Sequence, residues 1–133
     1  MTPILTPHPG EFARLTGDTI RRIESRRIDA AREFAAANRC VLVLKGAGTV
    51  IASPDGRFAV NASGTCGLAK GGSGDVLAGL IAGLAAQPGI DAFEAAVCGV
   101  YAHGKGAEVT ASRLGVRGML PSDAIPDIAA QLP

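Results

Sequence analysis

The chain has 133 residues, of which 47% are hydrophobic, 4% aromatic and 19% charged, with 18 glycines and no tryptophan; this composition excludes low complexity and intrinsic disorder. Thirteen Lys+Arg against twelve Asp+Glu leave a formal charge of +1, too little for a long-range field that would draw in nucleic acid or an anionic membrane. The longest uncharged stretch, Val76 to Ile90, falls short of the roughly 20 residues a bilayer span needs, and Met1 to Pro7 has neither the basic nor the apolar region of a secretory signal. Cys40, Cys66 and Cys98 are odd in number and widely spaced, which argues against a disulfide framework and a zinc site and for a reducing, cytoplasmic compartment.

In chain order, Ile4 to Glu11 reads as a short extended piece running into a loop that Pro7 and Pro9 bar from being helical. Asp18 to Asn38 reads as one amphipathic helix with Ile20, Ile23, Ile28, Ala31, Phe34 and Ala35 on one side, capped by Asp18 or Thr19. Its Arg21, Arg22, Arg26 and Arg32, interleaved with Glu24 and Glu33, form a solvated face. Cys40 to Lys45 is an unbroken run of strand formers, as expected of a strand covered on both faces in a parallel sheet. Strands around Thr49 to Ser53 and Phe58 to Asn61 flank Pro54-Asp55-Gly56 and predict a hairpin. Val76 to Gln87, apolar almost all round, predicts a buried helix. A long helix follows from about Asp91 to Leu114, with small residues on its packing face, and a short one from Pro121 to Leu132. Strands that precede long helices make this an α/β arrangement without repeats or linkers.

Two loops carry the chemistry. Gly71-Gly72-Ser73-Gly74-Asp75 leads straight into the apolar helix. Glycines permit close backbone approach, and the first turn of a helix offers unpaired N–H groups and the positive end of its dipole, so this turn suits an anion, phosphate above all. Asp75 lies in that first turn and has two readings: a helix cap, or a base that takes the proton of a substrate hydroxyl while phosphate binds alongside. The second loop, Lys45-Gly46-Ala47-Gly48-Thr49, follows a presumed central strand at the edge where open α/β sheets bind ligands. It suits phosphate or adenine-ribose contacts, and equally a plain turn between strands. Neither loop has the spacing of a P-loop or a dinucleotide fingerprint. His8, held between two prolines, either faces a ligand or is structural; His103 has no assigned role.

Taken together, Thr6-Pro7-His8-Pro9-Gly10-Glu11, Lys45-Gly46-Ala47-Gly48-Thr49 and the run from Asn61 through Gly71-Gly72-Ser73-Gly74-Asp75 to Gly79 closely resemble the ADP/ATP-dependent NAD(P)H-hydrate dehydratases of the ribokinase-like superfamily. The resemblance covers nearly the whole chain, in the family's order. It implies a three-layer α/β/α fold with a mostly parallel sheet. It also implies a lyase reaction: a hydroxyl of hydrated NADH or NADPH is phosphorylated at the expense of ADP or ATP, and phosphate is eliminated. By the same resemblance His8 and Asp75 would contact the hydrated nucleotide, with Asp75 as base. Lys45, Gly46, Ala47, Gly48, Thr49 and Gly74 would bind the adenine nucleotide, with Asn61 nearby. Gly71, Gly72, Ser73 and Gly74 would form the anion hole. Magnesium would accompany the nucleotide phosphates, although no ligand cluster identifies its site.

Members of that family have a domain about twice as long, so residues 1–133 are expected to form a single, partial domain corresponding to its carboxyl-terminal half. A sheet edge left open by that difference predicts self-association into a homo-oligomer. Two other functions use the same residues: a ribokinase-like kinase for a vitamin precursor or sugar, because an anion hole with an Asp base serves any hydroxyl phosphorylation, and a nucleotide-binding or assembly fragment without turnover. The Thr-Pro-His-Pro-Gly-Glu match favours the dehydratase over the kinase.

Overall fold

A computed structural model describes all residues, 1–133. Its centre is a four-stranded sheet in the order β1 (Ile4–Leu5), β2 (Val41–Leu44), β3 (Val50–Ala52), β4 (Phe58–Val60). β1 pairs with β2 in parallel, Ile4 opposite Val41, whereas β2, β3 and β4 form an antiparallel meander with Leu44 opposite Val50 and Ala52 opposite Phe58. Every residue of β2 is buried, as its unbroken apolar run implies. The alternation of side chains divides that burial: Leu42, Leu44, Val50 and Ala52 face one layer with Phe12, Ile23, Ala31 and Ala35, while Val41, Val43 and Ile51 face the other with Leu77, Ile81, Ala96 and Val100. The fold is therefore a three-layer α/β/α stack.

The first layer departs from the sequence reading in two places. The segment after β1 is helical: α1 spans Pro9–Thr16. Proline at the first helical position needs no N–H and already has the right φ, so Pro9 opens a helix instead of barring one. The single helix expected over residues 18–38 is two, α2 (Ile20–Ser25) and α3 (Arg27–Asn38), broken at Arg26 with φ −146° and ψ 42°. One stripe cannot serve both pieces once the axis turns. Ile23, Ala31 and Ala35 are buried, but Ile20 and Ile28 are left exposed.

The opposite layer holds α4 (Ser73–Ala85), α5 (Ala92–Leu114) and, after a 3-10 turn at Pro121–Ala124, α6 (Ile125–Ala129). The α4 helix begins three residues before the expected Val76 and is not buried all round. Ser73, Leu77 and Ile81 are covered by α5 and the sheet, whereas Ala78, Gly79, Ala82 and Gly83 face outward. The small residues of α5 let its neighbours approach closely. A Cβ on Gly106 would lie 2.5 Å from the backbone of Ile128 in α6, and one on Gly99 2.7 Å from the Ile81 side chain in α4. Cys40 is buried in the core, and Cys66 and Cys98 are exposed and free. No helix is long and apolar enough to cross a membrane.

His103, in the middle of α5, is 7% exposed, and its Nε2 has no hydrogen-bond partner. Burial holds the imidazole below the ordinary histidine range; the Lys45 ammonium acts in the same direction, against the backbone of Ser73. The unfolded chain therefore takes up a proton at this position before the folded one does, and stability falls as pH drops through the ordinary histidine range, about 6.5. Urea midpoints at about pH 7.5 and about pH 5.5 test this: the wild type is expected to lose more stability over that interval than His103→Asn, and equal losses would contradict it.

Candidate functional site

The chemistry-bearing loops meet at the carboxyl ends of the two parallel strands, β1 and β2, where ligands bind in open α/β sheets. The backbone of Lys45, just past β2, donates to Pro7 O at 3.0 Å, which ties the loop after β2 to the loop after β1. Beyond it, the Lys45 side chain reaches over the start of α4, so close that a Cβ on Gly74 would lie 3.0 Å from Nζ. A cationic group and the positive end of a helix dipole thus share one small region, an arrangement that repels itself unless an anion lies between them.

The start of α4 fits that anion. Gly72 is the N-cap with φ +96°, a conformation an L side chain adopts only under strain, and no side chain caps the helix. The amides of Gly71, Gly72, Gly74 and Asp75 make no hydrogen bond within the protein; that of Ser73 is engaged, donating to Lys70 O at 3.3 Å. Three of the four residues expected to cradle an anion therefore present free N–H groups, joined by Asp75, and the fourth closes the turn behind them. Asp75 itself is exposed in the first turn of α4. Its carboxylate caps nothing and pairs with no cation, so of the two readings open from sequence the cap is not the one adopted.

The loop from Lys45 to Thr49 is held from beneath by Arg27, a residue that sequence reasoning passed over. Its side chain is only 13% exposed, and its guanidinium donates to Leu44 O at 3.0 Å and reaches Lys45 O and Gly48 O at 3.4 Å, while pairing with Glu24 at 2.9 Å. A Cβ on Gly46 would meet that guanidinium at 3.0 Å. Thr49 is buried and donates from Oγ1 to Gly46 O at 3.0 Å, so its hydrogen is used within the turn and only its lone pairs remain for a ligand. Ala47 sits exposed at the tip. Asn61 follows β4; its amide donates to Thr49 O at 2.9 Å, and its side chain fixes the next turn through Ser63.

His8 is placed beside this region with its ring turned to its own helix. Nδ1 accepts from the Glu11 amide at 3.2 Å while Glu11 accepts from the His8 amide at 2.8 Å, a reciprocal cap on α1. The hydrogen bond from the His8 backbone holds the Glu11 carboxyl below the usual carboxylate range, aided by the charges of His8 and Lys45. Nε2, the other ring nitrogen, lies 3.5 Å from Glu11 Oε1 on a side chain that is 57% exposed, so a ligand would reach it in competition with Glu11. No group of three or more His, Cys, Asp or Glu side chains is placed to hold a metal ion.

Comparisons with known proteins identify a family. The family model for NAD(P)H-hydrate dehydratase matches residues 1–130. An ADP-dependent (S)-NAD(P)H-hydrate dehydratase of Neisseria meningitidis is 46% identical over 124 residues, which are 92% of this chain and 42% of that protein. The crystal structure of ADP/ATP-dependent NAD(P)H-hydrate dehydratase from Bacillus subtilis, co-crystallised with ATP and Mg2+, superposes with a TM-score of 0.91 at 40% identity, covering 97% of this chain and 48% of that one. A ribokinase-like superfamily protein of Enterococcus faecalis matches with a TM-score of 0.77 at 29% identity, covering 96% of this chain and 43% of its own. The chain thus spans less than half the length of the relatives it matches. The fold is ribokinase-like, and the chain belongs to the NAD(P)H-hydrate dehydratase family.

Proposed function

We propose that this chain forms the carboxyl-terminal part of a ribokinase-like domain that restores NADH or NADPH from the hydrated cofactor, using ADP or ATP as phosphoryl donor. One observation supports the reading: the Lys45 ammonium approaches the first turn of α4, where the amides of Gly71, Gly72, Gly74 and Asp75 are free and the Asp75 carboxylate has no cation partner. The turn from Lys45 to Thr49 holds the adenine nucleotide, and the α4 amides hold its transferred phosphate. Asp75 takes the proton of the substrate hydroxyl as that oxygen bonds to phosphorus and the bond to the departing nucleotide breaks. Loss of the phosphate from carbon, with a proton from the neighbouring atom, then restores the double bond. Those free amides compensate charge on the phosphate oxygens where it develops. His8 contributes its Nε2 edge to the hydrated nicotinamide nucleotide. Magnesium, present with ATP in the B. subtilis crystals, would arrive on the nucleotide phosphates, which it neutralises, because this chain offers no ligand cluster of its own. Free cysteines at Cys66 and Cys98 support a cytoplasmic setting.

Incubating hydrated NADH with ADP or ATP and Mg2+ and following the reduced-nicotinamide absorbance tests the reaction. The band is expected to return, and Asp75→Asn to slow it by about 100-fold or more, the scale of a lost general base. Phosphorylation of a sugar or vitamin precursor without action on the hydrate would favour the kinase instead.

The outer edge of β1 is unpaired, and an apolar cavity of about 660 Å3 lies between β1 and the outward face of α4, lined by Ile4, Ala78 and Ala82 among others. An open edge beside apolar surface supports association with a second copy. Light scattering at micromolar concentration is expected to give a mass above the monomer's 13.4 kDa; a strictly monomeric species would count against it.

A further inference from the structure

Lys70 stands immediately before the Gly71-Gly72 turn, and its side chain crosses to the segment that follows α5. There its ammonium donates to the backbone carbonyls of Val116 at 3.1 Å, Arg117 at 3.0 Å and Met119. An ammonium has three donors and all three are used. No carboxylate lies within ion-pair distance of it, so the charge is balanced by peptide dipoles alone. The receiving turn is itself fixed. The Met119 amide donates to Gly115 O at 3.1 Å, and the Met119 side chain is fully buried against Gly67, where a Cβ would collide with its sulfur. At the other end of the same residue, Lys70 O accepts from the Ser73 amide, the first of α4.

Residue 70 therefore links a rigid turn to the beginning of the anion cradle. The cradle needs such a link, because Gly71 and Gly72 carry no side chains that could hold their backbone, and an unanchored pair of glycines loses more freedom on ordering than any other residues would. We propose that Lys70 is a positioning residue for the cradle: its three-carbonyl clamp on Val116, Arg117 and Met119 fixes the Gly71-Gly72 backbone with its amides aimed at the ligand and so sets the affinity for nucleotide phosphate. The inference rests on the phosphate-binding reading given above. It makes a chemical demand that a merely packed lysine does not: a small ammonium ion should substitute for the missing head group if the stem is removed with it.

The test uses the full chain with Lys70→Ala, which opens the space, and Lys70→Met, which keeps the stem and fills it. The readouts are hydrogen exchange at the Ser73 and Val76 amides, which donate to Lys70 O and Gly72 O, and ADP affinity by calorimetry, each in sodium chloride and in methylammonium chloride at equal ionic strength. Both variants are expected to exchange faster at these amides and to bind ADP more weakly, by about tenfold or more, the scale of lost hydrogen bonds to a charged group. Methylammonium should restore both properties in Lys70→Ala and neither in Lys70→Met. If Lys70→Ala stays within about twofold of a wild type that binds ADP, or if methylammonium rescues neither readout, the clamp is overturned. Failure of the wild type itself to bind ADP overturns instead the nucleotide reading on which it rests.

Discussion

A side chain at position 74 would put its Cβ 3.0 Å from the Lys45 ammonium, and the arrangement of the site follows from that close approach. Lys45 comes from the end of β2 and Gly74 from the first turn of α4, so the two meet only where the second helical layer packs on the sheet. The contacts that enforce this are apolar and glycine-dependent. Leu77 and Ile81 of α4 lie against Val41, Val43 and Ile51 of the sheet, and Gly99 lets α5 approach Ile81 from behind. The packing holds two positive ends together, an unfavourable placement that a multiply charged phosphate would turn into a favourable one.

Around that contact the chain uses cations to fix loops as well as to receive an anion. Arg27 gathers the carbonyls of Leu44, Lys45 and Gly48 beneath one loop, and Lys70 gathers those of Val116, Arg117 and Met119 beside the other. These peptide carbonyls are thereby satisfied, while the amides of Gly71, Gly72, Gly74 and Asp75 stay free. The carboxylate of Asp75 stands apart from this network without a cation partner, as the base role proposed for it requires.

Much of this was legible in the sequence, and the reasons for the rest are physical. The glycine spacing at positions 46, 48, 71, 72 and 74 marked both loops, because few other residue types allow such close backbone approach. The β3–β4 hairpin followed from its turn residues and α5 from its run of small residues, whereas the antiparallel pairing of β2 with β3 had no such signal. The α1 helix was missed because the two prolines were weighed as breakers, although Pro9 falls at the one helical position where proline is favoured. The break at Arg26 has no local signal, since it is set by how α2 and α3 seat Ile23, Ala31 and Ala35 on the sheet. The loop contacts of Arg27 and Lys70 were invisible for the same reason. Arg27 acts on a carbonyl 17 residues away and Lys70 on carbonyls 46 to 49 residues away, separations that only the tertiary fold closes.

The central claim is that Lys45 and the amides of the α4 start bind nucleotide phosphate as one unit. Calorimetric titration of ADP with Mg2+ into the wild type, Lys45→Met and Gly74→Ala tests it most directly. Lys45→Met is the decisive variant, because it removes the ammonium and keeps the stem, whereas the methyl group of Gly74→Ala meets only the mobile end of the Lys45 side chain. Measurable binding to the wild type is expected, with a loss of about tenfold or more in Lys45→Met, the scale of losing a charge-assisted contact, and a smaller loss in Gly74→Ala. Wild-type affinity retained in both variants would contradict it.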